Sequence, residues 1–401
     1  MQDEATLAVP AATLHRDARY GELGLTGLEI AAGLPLGPPE RVQLPDAADG
    51  PREALERLMV AALERPPCVV AFSGGRDSSA LLSVAATVAA REGLEPPVAM
   101  TQRFPGVRAT AETDWQELVV RHLGIRRWEV IEQQDDLDIL GPLARSALSR
   151  HGSVYPMNAH FALPLLARAS GGTVVTGLDG DTLFGGWRWR RIGDVLDRRE
   201  RPRPRDVVTA AHRLAPRSLQ YTVMRRLDPG TPLSWLTERG QRLCLEMRIE
   251  NMRLQPRRFD HYVEWFAGSR HVRLLRRQLE LFAGEAGARI LHPFLEPSFL
   301  SALARWGGSH GRGGRTDMMR ALFGDLLPEH VLTRATKARF EGAYLSSHTR
   351  EFAASWDNAD IDSELVDASA LRTELAKPSP ATGIGQLLQW MWLARQEEDR
   401  P

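Results

Sequence analysis

Apolar positions along the first half of the chain fall into alternating strand-length and helix-length patterns. Cys68-Val-Val-Ala-Phe72 is an unbroken apolar run of strand length that stops at a glycine turn. After it, Ser79 to Ala90 is apolar over helical length; before it, Leu55, Leu58, Met59 and Leu63 recur at helical spacing within Pro51 to Glu64. Val98 to Thr101, Trp128 to Ile131 and Thr173 to Thr176 read as three further strands. Ala111 to Leu123 and Phe161 to Ala169 read as the intervening helices, stopped by Gly124 and by Gly171-Gly172. Such alternation predicts an α/β fold with a doubly wound parallel sheet, whose ligands sit beyond the carboxyl ends of strands. Glycine-rich turns follow Phe72 and Thr176, at two of those ends.

Beyond Trp187 the strand signals fade and a mostly helical region is expected. Its closing helix carries an apolar face of Ile384, Leu387, Leu388 and Met391. Met1 to Gly50 is punctuated by Pro35-Leu-Gly-Pro-Pro39 and Asp46-Ala-Ala-Asp-Gly50. The expected organisation is therefore an arm or linker over residues 1–50, an α/β core over 51–186 and a mostly helical region over 187–401.

Composition narrows the function classes. The 51 basic residues balance 51 acidic ones, so net charge supplies no bulk attraction to nucleic acid or anionic membrane. Locally, residues 187–280 hold 22 Arg against 11 Asp and Glu, including Trp187-Arg-Trp-Arg-Arg191. Interleaved aromatic and basic side chains can form a nucleic-acid groove. Here they are spread out on a neutral chain, so a solvated helical face is the preferred reading and nucleic acid is not an expected partner. Cys68 and Cys244 are too few for a disulfide framework or a four-cysteine zinc site, which favours a reducing cytoplasm. The longest mostly apolar run, Ala80 to Ala90, is about half of a membrane span, and the acidic start Met1-Gln-Asp-Glu is unlike a secretory signal.

The segment Ala71-Phe-Ser-Gly-Gly-Arg-Asp-Ser-Ser79 places Ser73, Gly74 and Gly75 in a strand-to-helix turn. Free backbone N–H groups and the helix dipole favour an anion there. No Gly-Lys-Ser/Thr follows, so the lysine of an ordinary phosphate-binding loop is absent. Asp77 stands instead, an acid beside a phosphate site, which requires a cation between them; Mg²⁺ held by carboxylates and phosphate oxygens fits. Thr176-Gly-Leu-Asp-Gly-Asp-Thr-Leu-Phe-Gly-Gly-Trp187 repeats this logic after the fourth strand, with Asp179 and Asp181 available to the same cation.

The Ser-Gly-Gly-x-Asp-Ser signature at Ser73 to Ser78 resembles the pyrophosphatase-loop (PP-loop) enzymes, which cleave ATP between its α and β phosphates. The second loop is similar to the Ser-Gly-x-Gly-x-Asp-Glu-x-Phe-Gly-Gly-Tyr segment of the asparagine synthetase synthetase domain. His292-Pro-Phe-Leu-Glu and Leu326-Leu-Pro-Glu-His-Val-Leu-Thr-Arg334, followed by Lys337-Ala-Arg-Phe340, resemble two later segments of that family in the same order. The resemblance implies ATP on Phe72, Ser73, Gly74, Gly75, Asp77, Ser78, Thr101 and Gly177, with Mg²⁺ on Asp77 and Asp181. It also implies that Lys337 neutralises charge developing during adenylation and amine attack. Only two of the 51 basic residues are lysines, Lys337 and Lys377, so a compact ammonium is retained in this segment of an arginine-rich chain.

Departures from that family shape the expected activity. Its glutaminase domain begins with a cysteine, whereas residue 2 here is Gln and some 50 residues are too few for such a domain. Leu178 occupies the place of a Glu in asparagine synthetases and a Tyr in β-lactam synthetase, residues linked there to amine activation; Asp179 is the candidate substitute base. Thr182 replaces the usual Glu, and Arg76 fills a position where Leu is common. The expected activity is adenylation of a small-molecule or peptide carboxylate and its joining to an amine. Macrolactam or other amide formation in peptide or specialised-metabolite biosynthesis is favoured, with a separate glutaminase or a precursor peptide as possible partner. Transfer of ammonia from a separate source, a tRNA-modifying PP-loop enzyme and a non-catalytic homologue are the alternatives.

Overall fold

The computed structural model describes residues 24–107, 110–134, 137–227, 233–336, 338, 340–357 and 361–398. Five strands, β1 (Cys68–Ala71), β2 (Val98–Arg103), β3 (Trp128–Glu132), β4 (Thr173–Val175) and β5 (Arg289–Leu291), form one sheet in the order β3-β2-β1-β4-β5. Every pairing is parallel, with Val69 opposite Val98 on one side of β1 and Val174 on the other. Val69, Val70, Ala99, Met100, Val174 and Val175 are all buried, as a parallel sheet covered on both faces requires.

The chain steps outward from β1 to β2 and β3, then returns to lay β4 on the opposite side of β1. This reversal opens a crevice at the carboxyl ends of β1 and β4, the usual ligand position in such sheets. The helix Arg76–Glu92 starts directly above β1, and the helix Pro51–Leu63 packs Leu55, Met59 and Ala62 against it. The predicted helix Phe161 to Ala169 divides into a 3-10 turn, Ala159–Ala162, and an α-helix, Leu163–Arg168, with Pro164 near the junction.

Two features depart from the sequence expectation. First, strands do not end before Trp187: β5 lies far along the chain in the mostly helical region and pairs with β4. Three residues beginning with an exposed arginine carry no readable alternation, and their strand conformation comes from the neighbouring ladder. Second, residues 24–50 are not a free tether. The helix Gly27–Ala32 has a capping box between Thr26 and Glu29, and Leu25, Leu28 and Ile30 are buried. The buried Glu29 accepts a 2.8 Å hydrogen bond from Arg270 Nη2, and the wholly buried Trp235 donates from Nε1 to the Ala31 carbonyl at 2.7 Å. Gly and Pro punctuation hides so short a helix from periodicity.

The closing helix, Gly385–Glu398, buries Leu387, Leu388 and Met391, with Ile384 in the turn before it. No helix among the described residues is long and apolar enough to cross a membrane.

Candidate nucleotide and metal site

β1 delivers the loop after it with a fixed geometry. Phe72 N–H donates to the Met100 carbonyl at 2.8 Å, and the Thr101 hydroxyl donates to the Phe72 carbonyl at 2.7 Å. Thr101 also accepts from Trp128 Nε1 at 3.0 Å, so its buried hydroxyl is engaged beneath the loop as a support. Ser73 is exposed at the loop's crest, with its Oγ 3.1 Å from Ser78 Oγ and accepting from Gly75 N–H at 3.3 Å. Gly74 has φ +83°, and a Cβ there would stand 2.9 Å from Gln116 Cγ. Glycine is thus required by both backbone angle and space. The first turn of the 17-residue helix Arg76–Glu92 leaves amide N–H groups without helical acceptors, the arrangement that binds phosphate.

The loop after β4 comes to rest on this helix start. A Cβ at Gly177 would lie 3.0 Å from Ser78 N, and one at Gly180 would lie 2.7 Å from Asp77 Cγ. Asp77 is thereby clasped between the two glycine turns. Its Oδ2 accepts a 2.6 Å hydrogen bond from Arg315 Nη2, while its buried Oδ1 has no protein partner. Burial raises the Asp77 pKa above the ordinary carboxylate value; Arg315 opposes this shift and the nearby negative charge of Asp181 adds to it. The structure therefore brings Asp77 and Asp181 into one electrostatic neighbourhood. A buried carboxylate oxygen without a donor, beside a second carboxylate, suits a hard cation such as Mg²⁺. Among the described residues no group of three or more His, Cys, Asp or Glu forms a fuller metal cluster, so remaining ligands would have to come from phosphate and water.

Asp179 adopts a left-handed conformation, φ +55°, and caps the helix Gly180–Gly185. Its carboxylate faces His271, with Oδ2 3.0 Å and Oδ1 3.2 Å from Nε2, and His271 Nδ1 lies 2.6 Å from the Tyr155 hydroxyl. Leu178 is half-buried against the main core. Thr176 Oγ1 lies 2.6 Å from Nδ1 of His292, which burial, assisted by Arg276, holds neutral with a pKa lowered to about 3.

Three arginines around this site were not singled out as binding residues by the motifs. Arg315 reaches Asp77; Arg76 donates to Thr316 Oγ1 at 3.1 Å and to the Leu332 carbonyl at 3.3 Å; Arg334 donates to the Gly74 carbonyl at 3.0 Å. Arg334 is buried, ion-paired to the equally buried Glu112, and stacked 4.6 Å from the Trp115 ring centroid. Glu112, at the start of the helix Thr113–Leu123, is thus engaged in holding the late Leu-Pro segment on the loop. The remaining signal for these arginines was the unusual Arg76 inside the loop. Lys337 lies outside the described residues.

The other signals resolve into packing. Phe184 of the second loop and Phe294 of His292-Pro-Phe-Leu295 meet edge to face at 5.3 Å, so these two motifs are parts of one core. Trp187 and Trp189 are buried, with Arg213 and Arg257 over Trp189, and hence offer no exposed stacking platform. Arg190, Arg191 and Arg199 pair with Asp194 and Asp206. His122 contacts the Leu326 carbonyl, His151 pairs with Glu285, and His160 contacts the Leu137 carbonyl.

No curated protein matches the chain. The family model described as asparagine synthase matches residues 52–397, nearly the whole chain, and with the two clasped loops this places the protein in the asparagine synthase family of ATP-dependent amide ligases.

Proposed function

We propose that this protein adenylates a substrate carboxylate with ATP, releasing pyrophosphate, and joins the activated acyl group to an amine with release of AMP. The observation that carries this reading is the position of Asp77 in the first turn of the helix after the loop, with a buried, unpartnered oxygen and the charge of Asp181 within electrostatic reach. Ser73, Gly74, Gly75 and Ser78 would hold the phosphates, with Gly177 beside them and Phe72 and Thr101 supporting the loop from beneath. Asp77 and Asp181 would hold Mg²⁺, which supplies charge neutralisation for the departing pyrophosphate. The carboxylate oxygen attacks the α-phosphorus as the bond to pyrophosphate breaks, and the amine then displaces AMP from the acyl carbon. Lys337 is assigned the neutralisation of charge in both steps, and Asp179 the amine proton. Holding reactants in line contributes up to roughly 7–11 kcal/mol to such condensations.

Asparagine formation suits the site poorly, because half-buried Leu178 offers no proton acceptor where relatives carry Glu or Tyr. Macrolactam or other amide formation in peptide or specialised-metabolite biosynthesis, in the cytoplasm, suits it better. The test is incubation with ATP, Mg²⁺ and ¹⁸O-labelled carboxylates. AMP carrying one ¹⁸O, with pyrophosphate released and both lost in Lys337→Ala, is the expected result; ADP as product overturns the proposal.

A further inference from the structure

The Arg315–Asp77 ion pair occupies one oxygen of the carboxylate assigned to the cation. Arg315 opens the helix Arg315–Phe323, and its Nη2 stands 2.6 Å from Asp77 Oδ2. Its stem lies beside the second loop, since a Cβ at Gly185 would be 4.0 Å from Arg315 Cβ and Cδ. Its buried Nε has no acceptor, so the guanidinium retains an unused donor. Arg76 senses the charges of Arg315, Arg334, Asp77 and Asp181 together, which makes these five groups one electrostatic cluster. Counting Glu112, paired to Arg334, the described residues of this cluster include three guanidinium groups and three carboxylates.

A divalent cation added alone would bring two positive charges among three guanidinium groups and would compete with Arg315 for Asp77. A polyphosphate added alone would approach Asp77 and Asp181. Added together, each removes the other's penalty: a phosphate offers Arg315 the bidentate acceptor its free donor lacks, and Asp77 is released for coordination.

We propose that Arg315 is a displaceable counter-ion that passes from Asp77 to phosphate oxygens, so that cation and nucleotide bind appreciably only together. This rests on the ATP·Mg²⁺ reading above. In its resting position Arg315 holds Asp77 in orientation through the 2.6 Å hydrogen bond to Oδ2.

Mn²⁺ serves as the probe, its free concentration read by electron paramagnetic resonance, with α,β-methylene-ATP as the uncleavable nucleotide. Wild type should bind Mn²⁺ at least roughly tenfold more tightly with the nucleotide than without it. Arg315→Gln should bind Mn²⁺ tightly without nucleotide and lose most of that difference. Arg315→Lys should retain it, and circular dichroism on both variants checks folding. Asp77→Asn should abolish the signal in each background. Equal Mn²⁺ affinity with and without nucleotide in wild type, or an unaltered difference in Arg315→Gln, overturns the role of Arg315 alone. Failure of the nucleotide to bind under any condition overturns the ATP reading as well.

Discussion

Gly180 lies flat against the carboxylate of Asp77, leaving no room for even a methyl group: a Cβ would stand 2.7 Å from Cγ and 3.0 Å from each oxygen. The two residues come from different strand ends, so this approach makes one site of two loops. Gly180→Ala must push Asp77 aside. Its dissociation constant for ATP·Mg²⁺, measured by calorimetry, should rise at least tenfold, about 1.4 kcal/mol, with little change in thermal unfolding. Unaltered affinity would place Asp77 outside the nucleotide site.

Asp179 holds a left-handed backbone, φ +55°, where its relatives' motif carries glycine. Asp and Asn tolerate this region better than other side chains, whereas a β-branched residue does not. Asp179→Gly should therefore unfold in urea no earlier than the parent, and Asp179→Val should lose about 1–2 kcal/mol. Asp179→Asn preserves the turn but removes the charge; carboxylate-dependent pyrophosphate exchange should persist while amide formation falls. Equal loss of both activities would assign Asp179 to adenylation.

The Arg334–Glu112 pair is buried on both sides, with side chains 5% and 6% exposed. Removing one member leaves an uncompensated charge in the interior, so Arg334→Met should cost about 3–5 kcal/mol in chemical denaturation. Arg334→Met combined with Glu112→Leu should recover a substantial part of that loss. Nucleotide affinity should not recover, because the Gly74 carbonyl still lacks its donor.

His292 imposes a pH dependence. Its folded pKa lies at about 3, against 6.5 ordinarily, chiefly through burial and secondarily through Arg276. Below about pH 6.5 the unfolded chain takes up a proton that the folded chain refuses, so stability is complete above that pH and declines as pH falls toward 3. Buried His160, lowered to about 4, acts in the same direction. Urea unfolding between pH 7 and 4 should show this slope, and His292→Asn should flatten it. An unchanged slope would mean that His292 titrates normally in the fold.

Local patterning was enough to specify four strands, their helices and the two glycine turns, because short apolar runs, helical spacing and the angular demands of glycine are written into nearby residues. It also marked Asp77 and Asp181, because an acid beside a phosphate loop has little other rationale. It could not reveal β5, whose three residues become a strand only beside β4, nor the helix Gly27–Ala32, which is held by Trp235 and Arg270 from far along the chain. Nor could spacing show that Arg315 and Arg334, more than 230 residues beyond the loop, converge on Asp77 and Gly74. Sequence thus determined which groups are candidates for chemistry, through short-range rules. Tertiary packing decided which charges face one another, since that depends on distances the chain acquires only when its distant segments share one core.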